Sequence, residues 1–299
     1  MSRETGEKGL VTVGLMAYNR AGTYLTAAID SILAQTYKNF ELIISDNASP
    51  DNTEEICREY AKRDPRVRYI RQKENIGYTA NVNFVNGEAR GEYFFWFCDD
   101  DVLAPTFIEK CVARLETHPE SIMAAVRPVS FDDTGRYEQP RESKKMCPWE
   151  KDTYRRLKQF ILLYESDGKP LVHFCAVWRR KAIADFVFIN YFIRWPYNWD
   201  FQDMTLAFYG LIRGSFECVD EVLYYKRARP TSFDFKKKFF PRRIFDSFVH
   251  SRLRRLTTPF FYTRMRMITG IKELSLFARA KLMFWNLFAM SRLFWRKKI

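Results

Sequence analysis

Long hydrophobic runs are missing from this sequence: no uninterrupted apolar stretch approaches the roughly 18 to 20 residues that a bilayer-spanning helix needs. A helical membrane span is therefore not expected. Histidine is scarce, and none of His118, His173 and His250 has a sequence neighbour that implies a Ser-His-Asp or Cys-His relay. The six cysteines (Cys57, Cys98, Cys111, Cys147, Cys175, Cys218) form no CxxC pair and have no histidine at ligand spacing. Neither a zinc site nor a disulfide framework is expected, and a reducing cytosol suits such thiols. No GxGxxG follows a strand and no GxxxxGKS or GxxxxGKT occurs, which disfavours a dehydrogenase and a P-loop ATPase. The opening MSRETGEKGLVTVGLM enters a strand-like run at once and does not resemble a secretory signal.

What is present begins with charge. The chain of 299 residues carries a net +13, but from Lys236 onward 17 Lys and Arg face only Asp246 and Glu273, a net +15. The remainder holds 32 basic against 34 acidic residues and is nearly neutral. This asymmetry predicts a body of catalytic size, over about residues 1–230, with an appendage at 231–299 drawn to a polyanionic surface, either membrane or nucleic acid.

The body alternates strand and helix signals. Val11 to Met16, Phe40 to Ser45, Val67 to Arg71 and Glu92 to Phe97 read as buried strands. Between them, Thr23 to Gln35 places Leu25, Ala28, Ile29, Ile32 and Leu33 on one helical face. Asp51 followed by Glu54 reads as a capping box for a helix ending before Asp64-Pro65, and a third helix is expected over Thr79 to Ala89. Such alternation predicts a mostly parallel sheet covered by helices on both faces.

In open sheets of this kind ligands bind beyond the carboxyl ends of the strands. Three polar clusters fall there: Tyr18-Asn19, Asp46-Asn47 and Asp99-Asp100-Asp101. Three adjacent carboxylates after so apolar a strand repel one another unless a cation neutralises them, and Mn²⁺ or Mg²⁺, which prefer oxygen ligands, suit them. A solvated acidic turn capping a helix from near Pro105 is the other reading.

The stretches VTVGLMAYNRAGTYLTAAIDSILAQTYKNFELIISDNASPDNT and ENIGYTANVNFVNGEARGEYFFWFCDDDVLAP resemble the nucleotide-binding half of glycosyltransferase family 2, over about residues 9–130. The resemblance implies a Rossmann-like α/β fold of the type called GT-A, a nucleotide-sugar donor, UDP-linked by family likeness, and inversion at the anomeric carbon. Carried over by position, it implies that Tyr18 stacks on or borders the base, Asp46 hydrogen-bonds the base and Asn83 lies near the nucleoside. It further implies that Asp99 contacts the ribose and Asp100 ligates the metal, assisted by Asp101. The sequence departs from the family pattern at Ala17, usually Thr, at Asn47, often Asp, and at Val82, often Arg.

An acceptor-binding half is expected over about 131–230. There WDFQDMTLAFYGLIRGSFECVDEVLYYKR resembles the family's Glu-Asp helix followed by a Gly and a strand ending in tyrosines. Counting back from Gly214 places Asp203 at the catalytic Asp, with Gln202 in place of the preceding Glu and Asp200 as the competing base. A carboxylate is needed because the acceptor hydroxyl must lose its proton as it attacks. Arg229 stands where the family often has a His meeting the metal or diphosphate; it reads equally as the first residue of the basic tail. Trp195, Tyr197 and Trp199 are an acceptor platform or core.

Two tail segments read as amphipathic: Ile244 to Leu256, and the stretch containing Leu282, Met283, Phe284, Trp285, Leu287, Phe288, Leu293, Phe294 and Trp295. The second is expected to lie in a membrane interface rather than span it, or else one of its faces completes the core. The expectation is a glycosyltransferase, cytoplasmic and peripheral on the inner face of the cell membrane, acting on a glycan or lipid-linked saccharide in surface-polysaccharide synthesis. No specific nucleic acid is expected as partner. The other classes considered are a sugar nucleotidyltransferase, for which MAYNRAGTYL is a poor phosphate loop, and a non-catalytic membrane or RNA adaptor.

Overall fold

Alternation within EYFFWF organises the whole sheet. Successive strand side chains point to opposite faces, and here Phe94 and Trp96 enter one apolar cluster while Tyr93, Phe95 and Phe97 enter the other. A strand that is apolar on both sides needs helices on both. It lies at the centre of the computed structural model, which describes residues 6–22, 24–133, 150–165, 176–188, 198–227, 265–272 and 274–295.

Strands β1 (Glu7–Ala17), β2 (Phe40–Asp46), β3 (Val67–Arg71) and β4 (Gly91–Cys98) run parallel in the spatial order β3-β2-β1-β4. Helices α1 (Leu25–Leu33), α2 (Thr53–Arg63) and α3 (Tyr78–Glu88) connect them. These are the predicted units, shifted only at their ends. As its periodicity predicts, α1 buries Leu25, Ala28, Ile29 and Ile32. The capping box is not formed. Asp51 accepts from the Thr53 backbone N–H at 3.1 Å, but Glu54 turns away to Arg58 and Arg71, at 2.7 and 3.1 Å. Two guanidinium groups hold its carboxylate more strongly than one backbone amide would.

The rest of the sheet comes from β5 (Val102–Leu103), β6 (Ser121–Phe131), β7 (Ala176–Arg179) and β8 (Ser215–Arg227), giving eight strands ordered β3-β2-β1-β4-β7-β6-β8-β5. Strand β7 is antiparallel to β4 and β6, and β5 is antiparallel to β8, while β6 and β8 are parallel. Helices α4 (Phe107–Thr117), α5 (Thr153–Glu165) and α6 (Asn198–Arg213) accompany them. The expected α/β class holds, as a mixed but mostly parallel sheet. Gly14 sets the approach of α3: a Cβ there would stand 2.9 Å from Val85 Cγ2 and 3.1 Å from Phe94 Cζ. Only a residue without a side chain lets α3 lie so near β1.

Helix α7 (Leu276–Trp295) follows a short helical turn at 265–269. Ile268, Ile271 and Leu282 are buried in the cluster that contains Leu157, Phe160 and Ile161 of α5. Trp285 Nε1 donates to Tyr154 Oη at 3.1 Å, and Lys158 Nζ lies 4.2 Å from the Trp285 ring centroid. Leu282 and Trp285 therefore pack on the body, the alternative in which one face of this stretch completes the core. The expected Ile244 to Leu256 helix lies outside the described residues. Among the described residues no helix is long and apolar enough to cross a membrane.

Candidate active site

Register brings the polar clusters together. Ala17 of β1 pairs with Asp46 of β2, and Met16 pairs with Cys98 of β4. The residues that follow, Tyr18, Asn47 and Asp99, consequently leave the sheet side by side at its carboxyl edge. Strand β1 is also where the chain order reverses, and crevices form at such switch points. A cavity of 330 Å³ opens there, lined by Met16, Ala17, Tyr18 and Arg20 from β1 and its loop, Asn47, Asn75 and Tyr78 beside them, and Cys98, Asp99 and Asp100 from β4.

Tyr18 and Tyr78 are exposed at its rim. The loop carrying Tyr18 is stitched to the loop after β2 by three backbone donors. Asn19 N–H reaches Ser49 Oγ at 2.9 Å, Arg20 N–H reaches Thr53 Oγ1 at 2.8 Å, and Ala21 N–H reaches Asp51 Oδ2 at 2.8 Å. Asn19 and Ala48 have φ of 56° and 58°, a region that L-residues seldom enter and that is held here by these bonds.

Asp46, expected to bind the base, is fully buried and does not line the cavity. Its Oδ1 accepts from Ser49 N–H at 2.9 Å and from the Ser49 hydroxyl, and its Oδ2 accepts from Tyr69 Oη at 2.8 Å and Arg71 Nη1 at 2.7 Å. Four donors tie this carboxylate to the loop and to β3. Its neighbour Asn47 lines the wall instead, accepting from Ile76 N–H and donating to Asn75 Oδ1, both at 2.9 Å. Asn83 is likewise away from the cavity. Its amide donates to Phe188 O and accepts from Phe188 N–H, each at 2.8 Å, so it clamps a distant backbone rather than facing a nucleoside.

The three carboxylates after β4 diverge. Asp99 accepts from Arg20 Nε at 2.7 Å, while Asp100 faces the cavity. Asp101 turns inward, accepting from Tyr224 Oη at 2.7 Å and Arg227 N–H at 2.9 Å. Burial, and then Asp100, push the Asp101 carboxyl up to about 6 against these two hydrogen bonds. Ligand atoms of Cys98, Asp100 and Asp101 lie within 4.8 Å of one another. Burial and the neighbouring carboxylates raise the Cys98 thiol well above its usual range, so it stays neutral. A hard divalent cation fits the two carboxylates, which are both buried, lie beside each other and offer the oxygen donors it prefers.

Arg227 escaped the sequence reading. Its Nε donates to Asp100 O at 3.2 Å, its Nη1 to Asp133 Oδ1 at 2.6 Å, and its guanidinium lies 3.7 Å from the Tyr24 ring centroid and 4.4 Å from that of Phe131. It ties the acidic turn to the end of β8. Arg20 and Tyr78 were missed too, although each directly adjoins a motif read from the sequence. Asp203 and Asp200 lie on α6, with side chains outside the described residues, as is Arg229.

Comparison with known proteins agrees with this geometry. The sequence profile of glycosyl transferase family 2 matches residues 12–187. The putative glycosyltransferase EpsE of Bacillus subtilis is 37% identical over 132 residues, covering 44% of this chain and 46% of that protein. An uncharacterized glycosyltransferase of Haemophilus influenzae is 39% identical over 107 residues, covering 36% of this chain and 33% of the relative. The matches thus span less than half of these relatives. Among solved structures, S. aureus TarS 1-349 in complex with UDP superposes with a TM-score of 0.61 at 16% identity, over 93% of this chain and 70% of that one. The mannosyltransferase PcManGT from Pyrobaculum calidifontis, in complex with GDP-Man and Mn²⁺, does so with a TM-score of 0.52 at 15% identity, over 96% and 88%. These likenesses carry the GT-A fold, and the profile, which covers more than half of the sequence, carries the family: the chain belongs to glycosyl transferase family 2.

Proposed function

We propose that this protein is an inverting, metal-dependent glycosyltransferase that moves a hexosyl or N-acetylhexosaminyl group from a UDP-linked donor to an acceptor hydroxyl. The observation that carries the reading is the convergence of Tyr18, Asp99 and Asp100 on one cavity at the switch point of the sheet. An aromatic face holds a base by stacking, and a carboxylate accepts from ribose hydroxyls; Tyr18 and Asp99 take these parts. Asn47 supplies the polar wall, with Asp46 holding the loop behind it. Complexes of TarS with UDP and with UDP-GlcNAc support the choice of nucleotide.

Asp100, with Asp101 beside it, would hold Mn²⁺ or Mg²⁺, which when bound neutralises charge on the donor diphosphate. Transfer is a single displacement. The acceptor oxygen bonds to the anomeric carbon from the face opposite the diphosphate, the bond to the diphosphate oxygen breaks, and the nucleoside diphosphate departs with that electron pair. Asp203 takes the acceptor proton, and Arg229 offers paired N–H donors to the leaving group. We assign the acceptor, a glycan or lipid-linked saccharide, by family likeness, and a cytoplasmic setting from the scattered cysteines, which form no CxxC pair.

Incubating the purified chain with a panel of nucleotide sugars, with and without Mn²⁺, tests the reading. Metal-dependent release of nucleoside diphosphate is expected. Pyrophosphate release would indicate a nucleotidyltransferase instead, and a folded protein that neither binds nor turns over any nucleotide sugar would overturn the proposal.

A further inference from the structure

Helices on the surface of a soluble body turn their apolar side inward. Over its described side chains α7 buries Leu282 in that way but departs from the rule at one buried position and along its most exposed face. Asn286 is fully buried, and neither its Nδ2 nor its Oδ1 finds a hydrogen-bond partner among the described residues. Facing outward are Leu276, Phe277, Phe284 and Leu287, exposed by 80, 69, 61 and 49%. At 100° per residue these four, with exposed Ala280, share an arc of about 100°. No charged residue falls inside that arc. Lys281 borders it, with Nζ 4.3 Å from the Phe277 ring centroid.

We propose that this outward face of α7 rests in the headgroup region of an anionic lipid surface. A continuous exposed apolar strip marks a contact surface, and charge selects its occupant. The sequence from Lys236 onward carries a net +15, and exposed Arg266, Lys272 and Lys281 belong to the same described segment. Lysines and arginines draw the segment to anionic headgroups, while Leu276 and Leu287 suit acyl chains and offer no stacking surface to a nucleic-acid base. The helix lies along the surface, since no described helix is long and apolar enough to cross a bilayer. This attachment goes beyond glycosyl transfer, and its test requires neither donor nor acceptor.

The full chain is sedimented with vesicles of phosphatidylcholine, with and without phosphatidylglycerol. Wild type should pellet with the anionic vesicles, and only weakly with the neutral ones. Phe277→Glu combined with Phe284→Glu should lower the partition coefficient on the order of tenfold or more, while the paired Leu substitutions keep most of the binding. Circular dichroism and thermal melting establish folding, and if the Glu pair does not fold, the paired Ser substitutions carry the same expectation. A folded variant that pellets like wild type overturns the proposal. So does a lipid-free dimer that these substitutions dissociate while vesicles bind neither protein, because the face would then join copies of this chain.

Discussion

At the sheet edge and at the junction of α5 with α7, the protein buries polar side chains on opposite terms. Asp46 is fully buried and meets four donors, two from its own loop and two from β3. Asn286 is fully buried and meets none among the described residues. A buried polar group with every partner present makes its surroundings rigid, whereas one without partners costs stability. The loop after β2 is thus pinned from both sides. Among the described residues the C-terminal helix leaves an amide unsatisfied inside and an apolar strip outside, which is the strip proposed to meet lipid.

The largest effect should come from Asp46→Ala. It removes the acceptor of four hydrogen bonds, two of them from Ser49 inside the loop, while Arg71 keeps Glu54, and the donors left without an acceptor should cost about 3 kcal/mol; urea unfolding should show this. A loss no larger than that of an exposed site would remove the rigid loop from the comparison. Next comes Asp100→Ala, expected to weaken Mn²⁺-dependent UDP binding by about 10²- to 10³-fold and to abolish transfer. Calorimetry with UDP and Mn²⁺ checks it, and unchanged binding by a folded variant sinks the metal assignment.

Asp203→Asn should leave donor affinity intact and lower kcat by about 10²-fold, the scale of lost proton-transfer assistance. Steady-state kinetics decide the point; an active Asp203→Asn beside a dead Asp200→Asn would shift the base by one helical turn. The smallest effect sharpens the comparison from its other side. Asn286→Leu removes the unpaired amide at similar volume and should raise stability by about 1–2 kcal/mol, read as a higher melting temperature. A drop instead would mean that the amide has a role inside the junction.

Much of the nucleotide half was legible in advance for a local reason. Apolar runs and their period depend only on neighbouring residues, so β1 to β4 and α1 emerged at nearly their observed positions. Tyr18, Asp99 and Asp100 reached the cavity because residues just past parallel strands must arrive at its carboxyl edge. Roles that depend on distant partners were not readable. Glu54 left its capping box for Arg71, Asn83 went to Phe188, and Arg227 had no motif to announce it.

The order of apolar and polar residues by itself determined that this protein would form β/α units with acidic and aromatic side chains at one sheet edge. Those are consequences of spacing along the chain. Only tertiary structure decided which of those side chains remained available. Asp46 was consumed by Tyr69 and Arg71, 23 and 25 residues away, and Asp101 was oriented beside Asp100 by Tyr224, 123 residues away. Hydrogen bonds join atoms that folding brings within about 3 Å, and no local pattern carries that distance.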